Sequence, residues 1–167
     1  MSIFTCVTRT LFIAATLGAG VGVSPAATAA PGKLMGMLPE GFSSSNCETK
    51  TPKPPAIEKV ACGQSTVSGG PAVASFGLFQ NVTDLETGFG NVPDGVTSVA
   101  CPGNKPSPGP WTYSNGNTGG QVQCATGTAD SGKFAMIVWT NRNKLRIGAV
   151  RSTDGAGLYR WWQSNAG

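Results

Sequence analysis

The side chains best suited to ligand recognition are a group of aromatic residues in the second half of the 167-residue chain. Tryptophan and tyrosine offer flat apolar faces that stack on sugars or other ligands, together with a polar tip. Packing in the protein core is the alternative use of such side chains. Because neighbouring residues on a helix differ in direction by about 100°, we expect one of Trp161 and Trp162 to be exposed. The group consists of Trp111, Tyr113, Tyr159, Trp161 and Trp162.

Arginine and lysine residues form a second candidate group near the end of the chain. Their side chains can meet anionic cell-envelope polymers or lipid headgroups through many weak contacts. Solvation of a strand surface is the alternative explanation. The basic group consists of Arg142, Lys144, Arg146, Arg151 and Arg160. The candidate ligand-binding residues taken from the two groups are Trp111, Tyr113, Arg142, Lys144, Arg146, Trp161 and Trp162.

The chain contains no histidine. Catalysis by Ser-His-Asp or Cys-His groups, general-base catalysis by imidazole and zinc sites with histidine ligands are therefore excluded. We expect a protein that is not an enzyme and has no cofactor. The alternative is a secreted carbohydrate-active hydrolase, which needs two carboxylates within about 5 to 10 Å of each other. The scattered acidic residues available for such a pair are Asp84, Glu86, Asp94, Asp130 and Asp154.

Residues 1–29 have the pattern of a secretory signal peptide. Arg9 is the one charged residue of this segment, residues 11–23 are an apolar run with small residues, and residues 27–29 are small. We predict cleavage after residue 29, with residue 30 as the alternative. The apolar run is shorter than the roughly 20 residues that span a bilayer. We therefore expect a secreted protein, extracytoplasmic and free or associated with the cell wall, with no stable membrane span after cleavage.

The cysteine count agrees with export. Cys6 lies in the predicted signal peptide, and an even number of cysteines in the exported remainder predicts two disulfides. Three pairings are possible, and smaller loops favour Cys47 with Cys62 and Cys101 with Cys124. Each closure would contribute about 3 kcal/mol. A zinc site with four cysteine ligands is a weaker alternative because no C-x-x-C pair occurs.

The charge balance is mildly basic, with 12 lysine and arginine residues against 8 aspartate and glutamate residues. This excess attracts anionic surfaces weakly and falls short of the dense clustering that binding to a phosphate backbone needs. We therefore expect no nucleic-acid partner. The remaining partner classes are an envelope component, a small ligand or another protein, for a chain that we expect to be monomeric.

A globular domain at residues 56–167 must position these side chains, after a leader at residues 30–55 that is rich in proline and serine and tethered by Cys47. Residues 134–140 are apolar at six of seven positions, which predicts a central strand buried on both faces. Other strands are predicted at residues 56–62, 73–80, 97–101, 111–114 and 121–126.

Residues 144–150 alternate in polarity and predict a half-buried strand. We expect Leu145, Ile147 and Ala149 to face the core, opposite Lys144, Arg146 and Gly148. Lys144 and Arg146 then lie on a solvated basic face.

Two short helices complete the pattern. Thr83-x-x-Glu86 has the spacing of a capping box, which predicts a first helix at this point. Thr153 or Asp154 can cap a terminal helix. The element order predicts an α+β fold: a single small domain with a mainly antiparallel sheet, two short helices packed on one face, and two disulfides.

Segments with a distinctive pattern of cysteine, tryptophan, glycine and proline run through most of the mature chain, namely residues 38–47, 78–81, 101–113, 138–140 and 158–162, with Leu85 and Phe89. Together they resemble an actinobacterial exported module, found in the extracytoplasmic sensor-like regions of mycobacterial serine/threonine protein kinases and in small stand-alone secreted proteins. The resemblance implies a non-catalytic sensor-like or binding domain, and it brings no ligand or catalytic residue. The chain departs from the kinase-linked version because it has neither the kinase domain nor a transmembrane helix.

Overall fold

An antiparallel sheet is the framework of the computed structural model, which describes residues 32–90 and 95–165. The predicted signal peptide lies outside these residues. Within them the strands are β1 (Cys47–Lys50), β2 (Glu58–Cys62), β3 (Val73–Leu78), β4 (Val96–Val99), β5 (Gly109–Thr112), β6 (Thr118–Ala129), β7 (Gly132–Asn141) and β8 (Arg146–Ser152). The helices are a short 3-10 helix (Lys33–Met37), α1 (Val82–Gly90) and α2 (Gly155–Asn165). The predicted α+β class with a mainly antiparallel sheet, two short helices and two disulfides is confirmed.

The strand order is β1-β2-β3-β8-β7-β6-β4. Strand β5 pairs with β6 on the same edge as β4, over the first part of β6, while β4 pairs with a later part. The strand predicted at residues 134–140 corresponds to β7, which lies between β6 and β8 and buries five consecutive residues from Ile137 to Asn141. Its apolar run therefore reflects burial on both faces of the sheet.

The two helices lie on opposite faces of the sheet. Phe76 and Trp139 point to one face, which we call the core face, and α2 packs there with the ring centre of Trp162 6.4 Å from that of Trp139. Helix α1 packs on the other face, which we call the groove face. There a Cβ atom on Gly88 would lie 3.2 Å from Cδ1 of Ile147. The expectation that both helices share one face is wrong, because an apolar stripe shows that a helix packs without showing where.

The two disulfides join Cys47 to Cys62 and Cys101 to Cys124, which confirms the favoured pairing. The first connects directly opposite positions of β1 and β2. The second fixes the irregular segment before β5 to the middle of β6. Each end of the sheet order is therefore braced by one covalent crosslink.

The predicted leader contributes to the core and to the sheet. Leu34 is fully buried, and its backbone N–H donates a hydrogen bond to the Glu58 carboxylate at 2.8 Å. The Phe42 ring packs edge-on against Phe76, with ring centres 5.4 Å apart. Strand β1, also in this segment, forms the edge of the sheet beside β2. In residues 32–90 and 95–165, no helix is both long enough and apolar enough to cross a membrane.

The N-cap of helix α1 lies two residues before Thr83, the predicted cap. Oδ1 of Asn81 accepts the backbone N–H of Asp84 at 2.9 Å, and Nδ2 of Asn81 donates to Oδ2 of Asp84 at 2.8 Å. The Glu86 carboxylate pairs with Arg142, in the turn between β7 and β8, instead of returning to Thr83. Asn81 is therefore the N-cap.

Replacing Asn81 with Ala should lower the free energy of unfolding by about 1 kcal/mol, because the Asp84 N–H loses its acceptor. Thr83→Ala is the matched control, and its loss should stay below about 0.5 kcal/mol. Urea denaturation followed by far-UV circular dichroism measures both. Equal losses in the two variants would contradict the assignment of the cap.

Candidate functional site

Four aromatic side chains line one cleft between β5 and α2. Trp111 lies in β5 and Tyr113 directly follows that strand, while Tyr159 and Trp162 lie in α2. The cleft has a volume of about 450 Å³, which falls within the usual range for small-molecule sites. Four polar residues, namely Lys105, Thr112, Ser114 and Gln163, line it as well, and the rest of the lining is Pro106, Pro110 and Val122.

The β5 side of the cleft is held by the Trp111 ring. Its Nε1 donates a hydrogen bond to the backbone oxygen of Thr140 at 2.8 Å. On the facing strand, a Cβ atom at Gly119 would lie 2.2 Å from the Trp111 ring, so the ring occupies space that only glycine leaves free. The Tyr113 ring packs edge-on against Trp111, with ring centres 4.7 Å apart. This wall of the cleft is therefore preorganised.

Helix α2 supplies the opposite wall. Oδ1 of Asp154 accepts the backbone N–H of Gly157 at 2.9 Å, so the cap is Asp154, one of the two residues predicted for this role. The Tyr159 and Trp162 rings contact each other with centres 5.4 Å apart, and Trp162 lies 6.0 Å from Trp111. The cap thus sets the position from which two aromatic side chains reach the cleft.

Both Trp161 and Trp162 are buried, each 4% exposed, so the expectation that one of them is exposed is wrong. Trp161 packs against Phe42 of the N-terminal segment, with ring centres 5.9 Å apart, while Trp162 packs against Trp139. Helix α2 is covered on two sides, and a 100° difference in direction therefore does not bring either ring to the surface. Core packing accounts for most of the aromatic surface, and Tyr113 is the half-buried member of the set.

Strand β8 does not carry the predicted basic face. Arg146 is 2% exposed, whereas Ile147 and Ala149 are only half-buried. The prediction that Ile147 and Ala149 face the core and Arg146 faces solvent is therefore wrong. The physical reason lies at Gly148, where a Cβ atom would be 2.3 Å from the Trp139 ring. The missing side chain at this position makes room for tryptophan and marks the strand face that turns inward.

Apart from the buried Arg146, the candidate basic residues are dispersed over the surface. Arg142 and Lys144 are exposed in the turn between β7 and β8, and Arg142 pairs with Glu86. Two effects lower the pKa of Lys144: partial burial is the larger, and repulsion from the positive charge of Arg146 is the smaller. Arg151 lies over the Phe134 ring, 5.5 Å from its centre. The candidate basic residues therefore do not line the aromatic cleft.

The Arg146 guanidinium is a buried cation. Its Nη1 donates a hydrogen bond to the backbone oxygen of Met37, and its Cζ atom lies 5.7 Å from the centre of the Phe76 ring. Within the described chain, its Nε has no hydrogen-bond partner and no carboxylate forms a salt bridge with it. Burial lowers the pKa of Arg146 to about 10, and the Tyr113 phenol acts in the opposite direction. Arginine nevertheless stays protonated at neutral pH.

Replacing Arg146 with Ala should lower the free energy of unfolding by about 2 kcal/mol, because a large buried side chain leaves a cavity. Arg146→Met keeps most of the volume and removes a buried charge that lacks a counter-ion, so its cost should stay below about 1 kcal/mol. Urea denaturation of both variants measures the difference. If Met costs as much as Ala, the charge itself contributes to stability.

Several acidic residues considered for a hydrolase have structural partners. Asp84 contacts the cap of α1, Asp154 caps α2 and Glu86 pairs with Arg142. Asp94 lies outside the described residues. No acidic residue is among the described residues that line the cleft. Among all the described residues, there is no group of His, Cys, Asp and Glu side chains that could hold a metal ion.

Sequence reasoning missed the polar residues of the cleft. Lys105 lies in the segment crosslinked through Cys101, and Gln163 lies near the end of α2. No periodic signal identifies either residue, because they meet only when β5 and α2 are both in place. No protein-family model, curated protein or solved structure matches the chain.

Proposed function

We propose that the protein is a secreted, non-catalytic, sensor-like binding domain that acts in the cell envelope or outside the cell, with the aromatic cleft as its ligand site. The observation that carries this proposal is the meeting of four aromatic side chains in one cleft of about 450 Å³. Binding sites typically combine such apolar surface with a few polar groups. The two disulfides agree with an oxidising compartment.

The lining favours a saccharide as the ligand. Sugar rings have apolar faces that stack on tryptophan and tyrosine, while their hydroxyl groups need hydrogen-bond partners. Thr112, Ser114 and Gln163 supply such partners beside the aromatic side chains. Lys105 is the one charged residue in the described lining, so the cleft also accepts a sugar that bears a single anionic group.

Isothermal titration calorimetry of the mature protein with tetrasaccharides of glucose, mannose, arabinose or N-acetylglucosamine tests this proposal. We expect at least one of them to bind, and Tyr113→Ala and Gln163→Ala each to weaken that binding at least fivefold. Both positions are partly or fully exposed, so the variants should fold. Phe134→Ala and Gln80→Ala are the matched controls outside the cleft, and their affinities should equal that of the parent. Absence of binding by all four sugars, or equal weakening by the controls, would refute the proposal.

A further inference from the structure

A second concave surface lies on the groove face, between α1 and the segment that precedes β2. Its floor is formed by Val138, Ile147 and Ala149 from adjacent strands. Phe79 and Phe89 form a wall on the α1 side. The groove has a volume of about 360 Å³ and lies on the face of the sheet opposite the aromatic cleft.

The floor of this groove is unusual for an open sheet face. The solvent side of an antiparallel sheet ordinarily carries polar side chains, whereas this floor consists of small and apolar ones. Ser75, Gly77 and Ala149 have short side chains or none, which gives the groove its depth. Gly88 lets α1 approach closely, since a Cβ atom there would lie 2.6 Å from the Phe79 ring. Helix α1 covers one side of this apolar sheet face, and the groove is the part beside it that the described chain leaves open.

Two lysines give the groove its charge. Lys53 is exposed and Lys59 half-buried, and both line the groove on its β2 side. No acidic residue is among the described residues of the lining, and neither lysine forms a salt bridge with the described carboxylates. The adjacent Glu58 points to the other face, where it accepts the Leu34 N–H. The groove thus combines an apolar floor with uncompensated positive charge.

We propose that this groove binds a single alkyl chain that bears an anionic head group. The chain lies along Val138, Ile147 and Ala149, and the head group meets the ammonium groups of Lys53 and Lys59. A polar ligand would gain little from the floor, because burial of apolar surface is favourable only for apolar groups. The volume, at the low end for small-molecule sites, suits one chain in preference to a two-chain lipid. This site is separate from the aromatic cleft and does not depend on its function.

Calorimetric titration of the mature protein at pH 8 with dodecanoate, octanoate and dodecyl maltoside tests the proposal. Each fully buried methylene strengthens binding about fourfold. Dodecanoate has four more methylenes than octanoate, so even if the groove buries only part of the longer chain, dodecanoate should bind at least tenfold more tightly. Dodecyl maltoside has a similar chain and an uncharged head group, and it should bind at least tenfold more weakly than dodecanoate. Equal affinity for the two carboxylates would overturn the role of the floor, and equal affinity for maltoside would overturn that of the lysines.

Two kinds of variant locate the binding. Reversing both charges, in Lys53→Glu with Lys59→Glu, should weaken dodecanoate binding at least tenfold. Lys33→Glu with Lys133→Glu makes the same charge change at exposed positions outside the groove and should leave the affinity unchanged. Ala149→Leu fills the floor and should also weaken binding at least tenfold, with the exposed Ala100→Leu as its control. Absence of dodecanoate binding to the parent, or unchanged affinity in the lysine variant, would overturn the proposal.

Discussion

Replacing Gly148 with Ala should lower the free energy of unfolding by about 3 kcal/mol or more, at the upper end of the usual cost of overpacking. The added Cβ atom would lie 2.3 Å from Cζ2 of Trp139. Trp139 is fully buried and cannot move aside, because its ring is held between Phe76 and Trp162, with ring centres 6.2 and 6.4 Å away. Urea denaturation followed by far-UV circular dichroism measures the loss.

Two further variants test whether this contact is the cause. Gly36→Ala is the control, since a Cβ atom there meets nothing within 4 Å, and its cost should stay below about 0.5 kcal/mol. Trp139→Leu removes the ring that the added Cβ atom would meet. Combined with Gly148→Ala, it should lose less stability than the two single changes together. Strict additivity would show that the destabilisation has another origin.

Removing the Cys101–Cys124 disulfide, by Cys101→Ala with Cys124→Ala, should lower the free energy of unfolding by about 3 kcal/mol. The crosslink spans 23 residues and constrains the unfolded chain accordingly. It also fixes the segment that carries Lys105 and leads into β5, so the sugar binding that we propose for the aromatic cleft should weaken at the same time. Denaturation and calorimetry of the same variant measure the two effects.

Cys47→Ala with Cys62→Ala is the matched control for the effect on the cleft. This disulfide spans 15 residues at the β1 edge of the sheet, so stability should fall somewhat less and sugar binding should be retained. The parent protein in dithiothreitol should lose stability as the disulfide variants do. A reduced parent as stable as the oxidised protein would contradict a stabilising role for both crosslinks.

The parts of the fold that the sequence predicts are those with strong local signals. Strand β7 carries apolar side chains on both faces. Its position in the middle of the sheet can therefore be predicted without deciding which alternate side chains face the core. The cysteine pairing follows from loop length, because pairs near in sequence close at the smallest entropic cost. Asp154 as a helix cap likewise needs only residues within one turn.

The missed features depend on contacts between distant residues. Alternation in β8 shows two faces, but only the approach of Trp139 to Gly148 decides that Arg146 turns inward. Strand β1 is short and charged, and only pairing with β2 gives it a regular structure. Of the cleft, the aromatic residues are recognisable by type, whereas Gln163 joins them through tertiary structure alone.

The clustering of all four tryptophans in one core has an optical consequence. Trp111, Trp139, Trp161 and Trp162 are at most 6% exposed, so the folded protein should emit at short wavelength and shift strongly to the red when water reaches the indoles. The ring centre of Trp162 lies 6.0 Å from that of Trp111 and 6.4 Å from that of Trp139, so excitation should migrate among these three indoles before emission. A quencher bound in the cleft, which Trp111 and Trp162 line, would then dim the fluorescence of all three connected tryptophans.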